Sequence, residues 1–220
     1  INALKALRGE LIEKNDLAKL AIHLEQNIMK ENVGAQDQIL AAYGDFNKIE
    51  LNTDDSFKVT PITLDPERLD SLQNHFMLFF TGITRIASDV VEDQLQNIKN
   101  VTGHYKNIYD LVDEALSIIK APNTSILEIG KLLHESWLLK RGLSNTITNS
   151  KIDAIYQAGL DAGAIGGKIL GAGSGGFILF FAQPEVQPKI RIQLKHLIQV
   201  PFKFETAGSK IVLNEPNGFV

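Results

Sequence analysis

Residues 167–181 read GKILGAGSGGFILFF, a glycine-rich loop between two apolar runs. Gly171, Gly173 and Gly176 have the G-x-G-x-x-G spacing of a dinucleotide-binding turn. Such a turn opens a helix whose N-terminus holds a pyrophosphate, and an acidic residue about twenty positions on takes the ribose. Here the loop runs into FILFFAQ, which has strand composition and ends at Pro184. The stretch Lys189–Ile192, where the acidic residue belongs, holds no carboxylate. The pattern is therefore strand, glycine loop, strand, and not a Rossmann turn. Six glycines fall between Gly166 and Gly176, more than a simple hairpin needs for positive φ. Glycine costs chain entropy, so the excess predicts the close approach of another backbone or of a ligand.

Outward from the loop, helices and strands mix without a regular βαβ alternation, which gives an α+β class. HFMLFFTG (His75–Gly82) reads as a buried strand. Helices are predicted over Arg85–Lys99, Tyr105–Lys120, Ile126–Leu139, from Ser150 to Gly163, and near Glu185–His196. Ser125 and Glu128 have the spacing of a capping box before the third of these. VPFKFE and KIVL, joined by TAGS, read as a terminal hairpin. Towards the N-terminus, Leu17, Leu20, Ala21, Leu24 and Ile28 recur at helical spacing behind a cap at Asn15 or Asp16. ENVGA breaks that pattern, DQILAAY makes a short helix stopped by Gly44, and the alternating stretch from Asp45 to Leu64 predicts strands. A boundary near Thr53–Ser56 divides the chain into domains 1–55 and 56–220.

Composition narrows the function classes. Of 220 residues 44% are hydrophobic and 22% charged, ordinary values for a globular chain with a substantial core. The net charge of −4 provides no field to gather nucleic acid or an anionic membrane. The longest apolar run, Phe177–Ala182, is far too short to cross a bilayer. Without cysteine there are no disulfides, thiolate nucleophiles or cysteine metal sites, which fits a cytoplasmic protein. The chain opens INALKALRGELIEK, without methionine and already inside a helical pattern, and reads as the C-terminal part of a longer polypeptide.

Two carboxylates lie in apolar company. Glu25 has Ala21, Ile22, Ile28 and Met29 at its i±3 and i±4 positions. Asp37 has Val33, Gly34, Leu40 and Ala41, and it begins a helix whose N-terminal amides favour an anion. A lone buried carboxylate is costly, so the pair points to a site. Metal-assisted phosphoryl transfer and glycoside hydrolysis both use such a pair, and the spacing does not separate them. The five histidines make no metal-ligand spacing, and Trp137 reads as core. Arg85, Lys140 and Arg141 are candidates for binding a phosphate.

GGKILGAGSGGFILFF resembles the third conserved motif of the GHMP small-molecule kinases. ENVGAQDQILAAYGDFN resembles the segment that carries their catalytic aspartate, and HLEQ places a glutamate where they carry a magnesium ligand. Within the family, LFFTGITRIASDVVEDQ, SWLLKRGLSNTIT and VPFKFETAGSKIV look most like heptose 7-phosphate kinases, with fucokinases close by. The resemblance implies ATP and Mg²⁺ as cofactors, Asp37 as the catalytic aspartate and Glu25 as the magnesium ligand. It implies a nucleotide-phosphate loop over Gly171, Ala172, Gly173, Ser174, Gly175 and Gly176, and substrate contacts from Gly34, Gln36, Arg85, Lys140 and Arg141. The implied fold is the end of an N-terminal unit like ribosomal protein S5 domain 2, followed by a ferredoxin-like C-terminal domain. The implied partners are a nucleotide and a sugar or sugar phosphate, with no nucleic acid or membrane; a homodimer is compatible with this reading.

One departure matters. The family's principal ATP loop, Pro-x-x-x-Gly-Leu-Gly-Ser-Ser opening a helix, is absent, and INALKAL looks like the continuation of that helix. This chain alone is therefore expected to be inactive. The expected reaction of the complete protein is ATP-dependent phosphorylation of a sugar's anomeric hydroxyl, with heptose 7-phosphate as substrate. The alternatives are a fucokinase-like enzyme acting on a free sugar, and a non-catalytic binding module.

Overall fold

The computed structural model describes residues 1–84 and 87–213. The chain divides into two compact units, one of Ile1–Thr63 joined by the stretch that begins at Phe204, the other of Leu64–Lys203.

In the first unit, α1 (Asn2–Leu7) and α2 (Lys14–His23) precede α3 (Gln36–Tyr43) and a hairpin of β1 (Asn47–Leu51) and β2 (Phe57–Pro61). Of the periodic residues Leu17 is buried, with Ala18 beside it, against Ile39 and Ala42 of α3, and Ile49, Phe57 and Val59 of the hairpin pack against them; Leu20, Leu24 and Ile28, expected on the same face, are exposed. Fully burying one such aliphatic side chain stabilises by about 1.5–3 kcal/mol. The observed N-cap is Glu13, two residues before Asn15 and three before Asp16, the expected caps, and its backbone carbonyl takes the Leu17 N–H at 2.8 Å. Thr53–Ser56, where the sequence places a domain boundary, turn the hairpin. The β1–β2 ladder from Asn47↔Pro61 to Leu51↔Phe57 holds both strands in one unit, so the division falls after Thr63.

The terminal stretch does not form the expected hairpin. It returns to the end of α3, where Ser209 N–H donates to the Ala41 carbonyl at 2.8 Å and Asp45 N–H to the Glu205 carbonyl at 3.0 Å. Gly44 and Gly208 meet there at positive φ, and a Cβ on Gly44 would lie 1.8 Å from the Gly208 nitrogen. Only a glycine pair allows that crossing.

The second unit begins with α4 (Pro66–His75), whose N-cap Asp65 accepts from the Glu67 and Arg68 N–H groups. Then come β3 (Phe76–Phe80), α5 (Ala87–Asn97), α6 (Thr102–Lys120), α7 (Leu127–Arg141), α8 (Ser150–Asp161), β4 (Gly166–Ile169), β5 (Phe177–Phe181), α9 (Gln187–Gln193) and β6 (Ile198–Val200). The expected capping box at α7 is not made: the Ser125 hydroxyl accepts from Leu127 N–H, and Glu128 turns to Lys131. The sheet order is β4-β5-β3-β6 with every pair antiparallel. Counted within the unit, that is second, third, first, fourth, the order of a βαββαβ ferredoxin-like sheet. Phe79, Trp137, Ile147, Ile152, Ile169, Ile178, Phe180 and Ile190 are fully buried in its core. A Cβ on Gly166 would lie 2.0 Å from the Gly130 carbonyl oxygen, so α7 rests directly on β4. That contact sets where the end of α7 stands beside the β4–β5 loop.

Candidate functional site

In the first unit, α2 gives way at Leu24–Ile28 to a single π-turn, closed by Met29 N–H on the Leu24 carbonyl at 2.9 Å. Such turns concentrate at functional positions. Glu25 sits in it, half-buried, and its Oε2 accepts from Gln38 Nε2 at 2.5 Å. Gln38 follows Asp37 in the first turn of α3 and is 8% exposed. The structure thus carries the Glu25 carboxylate to the residue next to Asp37. Asp37 is exposed at the helix N-terminus, where the dipole favours its anion. Gly34 and Gln36 are exposed beside it. The apolar company of Glu25 is not an interior: Ile28 and Met29 are 63% and 58% exposed. Its neighbour in space is an amide donor, which the helical spacing does not reveal. Gln38 Oε1 is buried without a donor among the described residues.

In the second unit, the β4–β5 loop is shaped by two other stretches of backbone. Ser174 N–H donates to the Ile147 carbonyl at 2.7 Å, and the Ser174 hydroxyl donates to the Thr146 carbonyl. Gly176 N–H donates to the Ile83 carbonyl at 2.8 Å, while Thr81 N–H and Oγ1 donate to the Gly176 carbonyl at 2.9 and 2.8 Å. Gly173 and Gly175 permit these approaches: their Cβ atoms would lie 2.7 Å from the Ile147 oxygen and 2.4 Å from the Ile83 oxygen. Gly171 and Gly176 have open space at Cβ and serve instead at φ 68° and 78°. Ser174 itself is at φ 60° and is 1% exposed, turned inward as an anchor. The backbone approach expected from the six glycines is therefore made twice.

Asp93 and Asn149 brace the docking segment. Thr146 Oγ1 donates to Asp93 Oδ2 at 2.9 Å, and Ser144 donates to the same oxygen. Asn149 caps α8 and donates to the Ser174 carbonyl at 3.3 Å. No spacing in the sequence announces these partners, because each lies far along the chain from the loop.

The expected phosphate ligands have protein partners. Lys140 Nζ donates to the Gly171 carbonyl, and Arg141 Nη2 pairs with Asp153 Oδ1 at 3.1 Å. Burial, followed by the charge of Lys168, pushes the Lys140 ammonium down to about 8, and burial also lowers Lys168. Arg85 lies outside the described residues. Trp137 is core, as its sequence neighbours suggest. Among the described residues no group of three or more His, Asp or Glu side chains could hold a metal ion, and no helix is long and apolar enough to cross a membrane.

A ferredoxin-like unit whose β4–β5 hairpin carries a docked glycine loop has the form of a small-molecule kinase C-terminal domain. Residues 117–195 match the family model described as GHMP kinases C terminal, so this unit carries a GHMP kinase C-terminal domain. It is 32% identical over 178 residues to a D-glycero-alpha-D-manno-heptose 7-phosphate kinase of Campylobacter jejuni, covering 77% of this chain and 50% of that protein. It is 27% identical over 188 residues to a bifunctional fucokinase/GDP-fucose pyrophosphorylase of Arabidopsis thaliana, covering 80% of this chain and 17% of that protein. The fold superposes on the crystal structure of a D-glycero-D-manno-heptose 1-phosphate kinase from Bacteroides thetaiotaomicron with a TM-score of 0.65 and 22% identity, covering 96% of this chain and 60% of that one. The chain thus spans half or less of the curated relatives it matches.

Proposed function

We propose that the complete protein is an ATP- and Mg²⁺-dependent kinase that phosphorylates the anomeric hydroxyl of a sugar phosphate, with D-glycero-D-manno-heptose 7-phosphate as the preferred substrate. The observation that carries this reading is the Glu25–Gln38 hydrogen bond, which brings a second carboxylate to the helix turn that contains Asp37. The residues present fit the implied cofactors. Glu25 has one carboxylate oxygen held by Gln38, and Mg²⁺ is commonly held by one or two carboxylates with nucleotide phosphates and waters. The backbone amides of a glycine loop suit phosphate oxygens. When bound, Mg²⁺ supplies charge neutralisation on the transferred phosphoryl group.

In this reading Asp37 orients the attacking hydroxyl and accepts its proton late, once bond formation has made that hydroxyl acidic. Glu25 holds the metal, and of the loop Gly171–Gly176 the turn at Gly171, Ala172 and Gly173 faces the nucleotide phosphates, since Ser174 and Gly176 spend their N–H groups on the Ile147 and Ile83 carbonyls. A second reading, phosphorylation of a free sugar, draws support from one feature: Lys140 and Arg141 are already engaged, so neither is an uncommitted cation for a second substrate phosphate. The test is Asp37→Asn in the complete natural polypeptide. Turnover should fall by at least about a hundredfold, the general-base contribution, while nucleotide and sugar binding persist. Retained turnover would remove Asp37 from the chemistry.

A further inference from the structure

The orientation of one peptide group in the glycine loop is set from outside the loop. The chain turns at Gly171 and Ala172, and the peptide joining these residues is the unit that rotates when one turn type converts into another. One side chain opposes that rotation directly, and a second holds the peptide that follows. Lys140 Nζ, from the last turn of α7, donates to the Gly171 carbonyl, and Gln94 Nε2, from α5, donates to the Ala172 carbonyl at 3.2 Å. In a trans peptide the C=O and N–H point in opposite directions. Holding the Gly171 carbonyl towards Lys140 therefore aims the Ala172 N–H to the other side of the loop. That N–H has no acceptor among the described residues.

Satisfying the Gly171 carbonyl does not by itself require a lysine. Gly171 is exposed, and water would bond its oxygen. The ammonium used instead is half-buried and feels the charge of Lys168 on β4, while its neighbour Arg141 is committed to Asp153 on α8. A group kept there at an electrostatic cost has a use other than stability.

We propose that Lys140, aided by Gln94, is a positioning residue: it fixes the Gly171–Ala172 peptide so that the Ala172 N–H donates to a phosphate oxygen of the bound nucleotide. The inference rests on the nucleotide-dependent function proposed above. It replaces the expected role of Lys140 as a direct ligand of the substrate's phosphate.

The experiment is titration of the complete natural polypeptide with a fluorescent ATP analogue and with adenosine, in Mg²⁺, for wild type, Lys140→Met, Lys140→Arg and Gln94→Leu. Thermal midpoints are measured beside each titration. Lys140→Met should weaken ATP-analogue binding about tenfold, the value of one well-aimed donor to a charged acceptor. Adenosine affinity should stay unchanged, and the midpoint should not fall. Lys140→Arg should restore most of the loss, and Gln94→Leu should give a smaller loss of the same phosphate-specific kind. Equal ATP affinity in wild type and Lys140→Met would overturn the inference alone. A variant that melts lower and loses adenosine and ATP alike would also overturn it, since that marks a structural lysine. No nucleotide binding by wild type would overturn the proposed function and this inference with it.

Discussion

Replacing Gly175 with alanine puts the docked loop under direct test. The added methyl would lie 2.4 Å from the Ile83 carbonyl oxygen and 3.1 Å from its carbon. Carbon–carbon contacts are optimal at about 3.5–4.0 Å, so the loop must retreat by up to about an ångström. Retreat stretches the Gly176 N–H bond to Ile83 at 2.8 Å and both Thr81 bonds to the Gly176 carbonyl, at 2.8 and 2.9 Å. Overpacking of this kind costs about 1–3 kcal/mol, and each weakened hydrogen bond up to about 1 kcal/mol more. A total of about 2–4 kcal/mol should lower the thermal midpoint by roughly 5–15 °C in a chain of this size. Gly103→Ala is the control. It lies in the first turn of α6 with nothing within 4 Å of its Cβ, and alanine there should leave the midpoint level or raise it. Circular dichroism melting of both variants reads the difference. If Gly175→Ala melts with wild type, the Ile83 backbone is not what shapes the loop.

Lys140 also predicts a pH dependence of stability. Its folded value is about 8 against an ordinary 10.5, so below about 8 the cost of its buried charge is fully present. Between about 8 and 10.5 the unfolded chain keeps a proton that the folded chain has released, and stability rises with pH. Tyr156, pushed up to about 12 by burial, acts oppositely above 10, so the reading belongs to pH 8–10. Burial lowers Lys168 as well, so Lys140→Met should reduce the rise there and leave the share due to Lys168, as measured by denaturant midpoints; an unchanged slope would contradict the assigned burial. Asn149→Ala should cost about 0.5–2 kcal/mol through loss of the α8 cap, whose side chain accepts from Lys151 and Ile152 N–H groups at 3.1 Å. Urea unfolding would show it.

The fold was readable where local chemistry and tertiary structure agree. Leu17, the stop at Gly44, and the apolar runs around the glycine loop settle where their spacing or composition points, whereas Leu20, Leu24 and Ile28 share the helical spacing and stay exposed. α4 carries an Asp65–Pro66 start signal that the sequence reading passes over. The terminal stretch misleads because V-P-F-K-F-E alternates like a strand, whereas Pro201 has no N–H to extend the ladder beyond Val200. Asp37 and Glu25 were legible as a pair, but the amide that joins them was not assigned a role, since Gln38 sits among helical neighbours like any other glutamine. The glycine count announced a close approach without naming what approaches. Ile83 and Ile147, which lie 92 and 26 residues from their loop partners Gly175 and Gly173, are ordinary apolar residues in sequence, and their contribution here is a backbone carbonyl. Lys140 read as a phosphate ligand because a cation at a helix end is accessible in most helices; here the packing of α7 on β4 brings it to the loop carbonyl.

The most direct test of the account is ADP production by the complete natural polypeptide, given Mg²⁺, ATP and a panel of heptose 7-phosphate, fucose and galactose, with the 220-residue chain assayed beside it. The account predicts turnover on heptose 7-phosphate and none from the shorter chain; absence of ADP production on every sugar by the complete protein would contradict it.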